Sequence, residues 1–442
     1  MTVFDPYTPE SGSADFTVEH YDLDLDYRLG PNRLAGTATL TVRVLADVRT
    51  LTLDLVGLGA DRVRVDGERA RHRQRSGRLL VTLPQAQSAG DRLTVEVRYS
   101  GTPEPRMGEW GDVGWEELDD GSLVAGQPNG SATWYPVNDH PAHKATYRIS
   151  ILVDADYTAI ANGRLVSTSR ASRGTRWEWV SDAPLAPYVA SVQIGRFKLE
   201  NLPGDGDVPQ WLAAPRLGWR PAALALKKQH AMLDGFQDWF GPYPFDAYGV
   251  VVTAEALEIP LESQPFSILG VNHLLPTWES ERLVAHELAH QWFGNSVSIR
   301  RWKDLWLNEG FACYAEWLWS ELKGSDSAAD RAEEAHAGLQ GLPQDLLLAD
   351  PGGPDMFDDR LYKRGALTLE ALRRSVGDAT FRSLCREWCW RNKHGHGDTE
   401  AFLDLVDEMT TIEARTVLGP WLFEEPLPAL PPARCEGLTT DG

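Results

Sequence analysis

The chain has 442 residues, 64 acidic against 43 basic, for a formal net charge of −21. That balance repels phosphate backbones and anionic lipid surfaces, so neither nucleic acid nor a membrane is an expected partner, and cationic substrates are favoured over anionic ones. The length exceeds one ordinary core, and a composition of 42% hydrophobic and 24% charged residues is that of a globular protein with two domains.

The opening stretch MTVFDPYTPESGSADF has neither a basic start nor an apolar run, so no signal peptide or anchor is expected. No later run approaches the roughly 18 to 20 apolar residues of a spanning helix, and a cytoplasmic location is the default expectation. In HYDLDLDYRL, the residues Tyr21, Leu23, Leu25, Tyr27 and Leu29 share one face, with Asp22, Asp24 and Asp26 on the other, which predicts a half-buried strand. The same alternation returns through Ala38, Leu40, Val42 and Val44, and again through Leu93, Val95, Val97 and Tyr99. TYRISILV, RWEWV and YVASVQIGRF are further strand candidates between Gly, Asp and Asn turns, so residues 1–200 read as an all-β domain.

The pattern changes at ENLPGDGDVPQ, taken as the domain boundary, and residues 201–442 read as mainly helical. RPAALALKKQHAMLDGFQDWFGPYP predicts one helix, with Pro221 in its first turn and Gly241-Pro242 ending it. Further helices are expected in ESERLVAHELAHQWF, DLWLNEGFACYAEWLWSEL, SAADRAEEAHAGLQ, YKRGALTLEALRRSV, TFRSLCREWCWRN and TEAFLDLVDEM, and a strand in YGVVVT. The ending PLPALPPARCEGLTTDG reads as a loosely held tail. Cys313, Cys385, Cys389 and Cys435 lack the spacing of a disulfide framework and read as buried thiols.

Chemistry concentrates in AHELAHQWFG. Positions i and i+4 lie above one another on a helix, so His286 and His290 can present two imidazole nitrogens to one ion. Glu287, about 100° further round, can reach a water on that ion without ligating it. Histidines on a helix can equally be satisfied by backbone groups, and a third protein ligand is what separates the two readings. Glu309, separated from His290 by eighteen intervening residues, stands in a strongly apolar helix where an unpaired carboxylate is expensive to bury. Two histidines and one glutamate leave a fourth position open, the arrangement of a catalytic zinc site. Glu316, seven residues further on the same helical face, is placed either to orient a ligating histidine or to face solvent.

HELAHQWFGN followed by WKDLWLNEGFA resembles the signature of zinc aminopeptidases of the aminopeptidase N and leukotriene hydrolase family, gluzincin metallopeptidases. QPNGSATWYPVNDHPAHKATY, GPYPFDAYG and LYKRGA resemble family segments in the expected order, so the likeness covers nearly the whole chain. The resemblance implies an α+β fold: an N-terminal all-β saddle-like domain and a thermolysin-like, mainly helical catalytic domain. It also implies one zinc ion per chain held by His286, His290 and Glu309, with Glu287 as general base. Tyr362 matches the tyrosine of Tyr-x-Lys-Gly-Ala, implied to bind the oxyanion, and Arg364 stands where lysine is usual, keeping the charge.

For the α-amino group of a peptide substrate, the resemblance implies Gln127 from the β domain and a glutamate from a Gly-x-Met-Glu-Asn segment. IPLESQPFSI aligns best and makes that glutamate Glu262, 24 residues before His286, although Ile259, Leu261 and Ser263 depart from the pattern and Glu258 is a rival. A buried ammonium needs an anionic partner, and holding it limits cutting to the first peptide bond. The expected activity is removal of N-terminal residues from peptides with a free N-terminus. The departures around Glu262 keep a zinc endopeptidase open as an alternative, and a catalytically silent peptide-binding protein on the same fold is the third reading. Family members usually carry a further helical domain, so a short two-domain form is implied, while oligomeric state and side-chain preference are not readable.

Overall fold

The period-two stretches form strands because one face of each is buried. In β1 (Phe16–Arg28) the side chains of Tyr21, Leu23, Leu25 and Tyr27 are fully buried, and Leu29 falls in the turn beyond the strand. Each such burial contributes about 1.5–3 kcal/mol. The structure, a computed structural model, describes residues 4–204 and 206–432. The strands that follow β1 are β2 (Arg33–Val44), β3 (Val48–Asp54), β4 (Gly59–Val65), β5 (Glu68–Arg75), β6 (Arg78–Gln87) and β7 (Arg92–Gly101). They belong to a ten-stranded sheet in the order Arg164–Arg170, Gly174–Leu185, Ala145–Asp154, β1, β2, β7, β4, β5, β6, β3. The links β4 to β5 and β5 to β6 are two-residue turns at Asp66-Gly67 and Ser76-Gly77, all four with positive φ, the geometry that suits the twist of a hairpin.

The chain divides into two compact units, Met1–His230 with Pro244–Glu281, and Ala231–Tyr243 with Arg282–Gly442. The composition change at residues 200–210 lies within the first unit, where Phe197–Leu202 and Gln210–Pro215 pair antiparallel across it. YVASVQIGRF is split between two sheets: Val192–Gly195 pairs in one and Phe197–Leu202 begins another. The stretch read as one helix breaks into α1 (Trp219–Ala225), a 3₁₀ turn at Leu226–Lys228, and α2 (Gln229–Phe240), which Gly241 ends at φ +92.

The remaining helices are α3 (Trp278–Ala289), α4 (Trp306–Leu322), α5 (Ala328–Gln340), α6 (Asp359–Val376), α7 (Asp378–Arg391), α8 (Thr399–Met409) and α9 (Ala414–Phe423). All but α9 match helices expected from the sequence, and the fold is α+β, with a β-rich N-terminal part and a mainly helical C-terminal part. Cys313, Cys385 and Cys389 are buried free thiols, and Cys435 lies outside the described residues.

The ending is held where it is described. His336 Nε2 lies 2.7 Å from the Pro428 carbonyl, Arg374 donates to the Pro431 carbonyl at 2.9 Å, and the Leu427 amide donates to Gln344 at 2.9 Å. The expectation of a loose tail is therefore corrected for residues 426–432, and its remainder lies outside the described residues. Arg364 explains part of this order. Its guanidinium is buried and donates to the carbonyls of Trp421 (2.9 Å), Leu346 (3.1 Å), Glu425 (2.7 Å), Pro420 (3.3 Å) and Glu424. The Pro420, Trp421, Glu424 and Glu425 carbonyls close the C-terminal end of α9, where a cation is favoured, and the bond to Leu346 ties the loop before α6 to the same guanidinium. A lysine has three donors to offer in place of five, so arginine here does more than keep the charge.

Candidate metal centre

Helix α3 carries the first donors near its C-terminal end. His286 lies in its last turn and His290 just past it, where the chain turns at Gly294 with φ +109. That turn brings the Phe293 carbonyl back to within 3.0 Å of His290 Nδ1. Helix α4 supplies Glu309 from its first turn, the end at which the helix dipole favours a carboxylate.

Helix α6 packs directly on α4 because glycines meet there. A Cβ on Gly310 would lie 2.9 Å from the Gly365 Cα, and a Cβ on Gly365 would lie 2.8 Å from the Gly310 Cα. Real Cβ atoms do not come that close to a backbone, so both glycines of NEGFA and YKRGA are needed to let the helices touch. The packing sets the Tyr362 ring nearly parallel to that of His286, with centroids 6.2 Å apart and an interplanar angle of 23°.

One ligand atom each from His286, His290 and Glu309 gathers within 4.8 Å of the others, and all three residues are buried. Glu309 Oε2 lies 3.4 Å from the Nε2 atoms of both His286 and His290. The far nitrogen of each ring is already engaged: His286 Nδ1 lies 2.9 Å from Glu316 Oε1, and His290 Nδ1 faces the Phe293 carbonyl. Both acceptors call for a proton on Nδ1, which leaves the two Nε2 lone pairs directed at a carboxylate oxygen. Three electron-pair donors converging in a buried site fit a cation, and imidazole with carboxylate is a donor set that suits zinc.

Electrostatics agree. Burial works against a charged His286, yet the carboxylates of Glu309 and Glu316 outweigh it and hold the imidazole up at about 9. Burial likewise works against an ionised Glu309, and the two imidazoles keep it well below the usual carboxylate range. Glu316 is held down to about 2 against burial by Lys363, His286 and Arg282. A compensating positive charge at this centre is therefore strongly favoured, whether a proton or a metal ion supplies it.

Sequence reading missed the two cations around Glu316. Arg282 Nη1 lies 3.2 Å and Lys363 Nζ 3.7 Å from Glu316 Oε2. Arg282 stands four residues before His286 on the same helical face, and Lys363 follows Tyr362, so both positions were legible once Glu316 was given a role. Glu287 is buried.

Gln127 and Glu262 lie in the first unit. Gln127 follows the strand Gly121–Ala125, Glu262 lies in the strand Leu261–Ser263, and the Gln127 amide donates to Glu262 Oε1 at 2.9 Å. Both side chains are half-buried and, with Tyr188 and Ser191, line a recess of about 10 Å³. The rival Glu258 is exposed. Ser263, one of the departures from the expected segment, is buried; its hydroxyl donates to the Val189 carbonyl at 3.0 Å and accepts from Asn162 at 3.1 Å.

Among the described residues His286, His290 and Glu309 form a three-donor group, the number that catalytic rather than structural metal sites use. The model of the peptidase family M1 domain matches residues 224–421, and that of the peptidase M1 N-terminal domain matches residues 17–188. A leucyl aminopeptidase of Saccharolobus solfataricus is 23% identical over 435 residues, covering 93% of this chain and 54% of that protein. Tricorn protease-interacting factor F2 of Thermoplasma acidophilum is also 23% identical, over 92% of this chain and 53% of its own length. The chain thus spans about half the length of these curated relatives. Among solved structures, an M1 zinc metallopeptidase of Deinococcus radiodurans, bound to a Tyr-Ser-Ala substrate, matches with a TM-score of 0.91 and 30% identity, covering 98% of this chain and 100% of that one. The chain belongs to peptidase family M1.

Proposed function

We propose that this chain is a zinc aminopeptidase that removes residues one at a time from the free N-terminus of peptides. The observation that carries the reading is the convergence of His286 Nε2, His290 Nε2 and Glu309 Oε2, with both Nδ1 atoms held from behind. His286, His290 and Glu309 hold the metal, and Glu316 fixes the orientation and tautomer of His286. Bound zinc supplies Lewis acidity, polarising the scissile carbonyl and lowering the pKa of water towards about 7. Glu287 accepts the proton of the attacking water and passes it to the leaving amine. The Tyr362 hydroxyl donates to the oxyanion as it develops, and the stacking of its ring near His286 limits where that hydroxyl can point.

Glu262 and Gln127 provide the charged and hydrogen-bonding partners for the substrate ammonium, with residues 1–200 as the β domain contributing to that subsite and 201–442 as the catalytic domain. The Gln127 to Glu262 hydrogen bond supports this, because it keeps a carboxylate oriented in a small recess. Three buried free thiols fit a cytoplasmic setting, where disulfides are rare. No helix among the described residues is long and apolar enough to cross a membrane.

The test is mass spectrometry of defined peptides incubated with the zinc-loaded protein, each peptide supplied both free and N-acetylated. Stepwise loss of single residues from the free forms alone is expected. Internal cleavage of both forms would replace the reading with an endopeptidase, and cleavage of neither with a binding protein.

A further inference from the structure

The solvent face of the ten-stranded sheet is divided by charge. On its β1 side, acids and arginines neutralise one another: Arg148 pairs with Asp22 at 2.9 Å and Glu178 at 2.8 Å, Arg176 with Asp24, and Arg173 with Asp26 and Asp154. The alternate aspartates of β1 are thus received by arginines of the neighbouring strands and of the turn at Arg173.

The other side has an excess of arginines over acids. Strand β5 exposes Arg69, Arg71, Arg73 and Arg75 in one row, while Ala70, His72 and Gln74 turn to the opposite face. Its neighbour β4 sets Arg64 directly across from Arg69, and Arg62 lies across from Arg98 of β7. Two acids are in register with this patch: Glu96, opposite Arg64, and Asp54, which lies beyond Arg78 from Arg75 and is already paired with Arg78. Among the described residues, none of the four β5 arginines forms an ion pair, in a chain whose net charge is −21. The overall acidity therefore hides a strongly basic patch.

We infer that the exposed β5 row, extended by Arg62 and Arg64, docks an extended acidic segment of a partner protein. The spacing supports this: alternate residues of a strand recur about every 6.6–6.8 Å, so carboxylates at every second position of an extended segment run in step with Arg69, Arg71, Arg73 and Arg75. The β1 side of the same sheet already shows such a match, made with Asp22, Asp24 and Asp26. No aromatic side chain interrupts the β5 row, so the stacking platform that favours single-stranded nucleic acid is missing. Exposed ion pairs are individually weak, so the row acts as a set and its binding falls steeply with salt.

The experiment measures fluorescence anisotropy of an N-acetylated peptide of alternating glutamate and threonine, which offers no free amine to the peptidase site. The expected result is saturable binding at low salt, weakened about tenfold or more by joint Arg69→Gln, Arg71→Gln, Arg73→Gln and Arg75→Gln, and unchanged by Arg148→Gln on the paired side. Should the fourfold variant not fold, Arg71→Glu with Arg73→Glu carries the same expectation. The inference is overturned by absence of binding at low salt, or by equal binding to the fourfold variant. Tighter binding of oligodeoxythymidine or of phosphatidylserine-containing vesicles than of the peptide also overturns it, and so does arginine-dependent self-association seen by sedimentation.

Discussion

The metal centre and the Gln127–Glu262 pair use carboxylates in opposite ways. At the metal centre both imidazoles are held from behind: each has its far nitrogen engaged, and Glu316, which holds His286, is itself gripped by Arg282 and Lys363. Glu262 is half-buried, and Gln127 reaches it through one 2.9 Å hydrogen bond. The first arrangement suits a cation that stays in place through many turnovers. The second is the looser hold that the proposed partner of a substrate ammonium needs.

That contrast orders the expected effects. Glu287→Gln should lower turnover by about 10²–10⁴-fold, the worth of a general base, while zinc content by elemental analysis stays at one per chain. Near-normal turnover would remove Glu287 from its assigned role. Glu316→Gln should cost about 10–100-fold in zinc affinity or activity, read by chelator competition, since it loosens the hold on His286. If zinc affinity and activity were both unchanged, the support from behind His286 would be dispensable.

These helical positions were legible in the sequence because a fixed period places His286 and His290, then Glu309 and Glu316, on common faces. The strands β1, β2 and β7 were legible for the matching reason, a period of two with one face buried. Where no local period operates, the sequence is silent. Gln127 and Glu262 are 135 residues apart and meet by tertiary structure, so only the family resemblance suggested them. Helix α9 has no clear mark in the sequence because Gly419 and Pro420 interrupt its local pattern, whereas Arg364 satisfies carbonyls at its end from a distant helix. The stretch 219–240 read as one helix because the 3₁₀ turn at Leu226–Lys228 has no Gly or Pro to mark it.

Smaller effects sharpen the comparison. Glu262→Gln should raise KM for free-amine peptides about tenfold while leaving zinc content unchanged, because exchanging a charged hydrogen bond to the ammonium for a neutral one costs about 1–1.5 kcal/mol. A fall in zinc content instead would mean that the two regions are not separable as described.

The metal-free protein should show a pH dependence of definite sign. The folded-state value of His286 is raised from 6.5 to about 9, so its proton stabilises the metal-free fold fully below about 6.5, and that contribution is lost as pH rises through about 9. The gap in melting temperature between zinc-loaded and metal-free protein should therefore widen over this interval. A constant gap would show that no proton stands in for the metal.

The contact between Gly310 and Gly365 has a mechanical side. Where two helices touch backbone to backbone, with no side chain at that contact to change rotamer, there is no lubricating layer, and the two move there as one welded part. Glu309 and Tyr362 ride on that part together. A displacement of the α6 backbone at Tyr362 would carry that of Glu309 with it, so the spacing between the two stations is set at the glycine contact, and any larger motion of the chain has to be taken up by other joints.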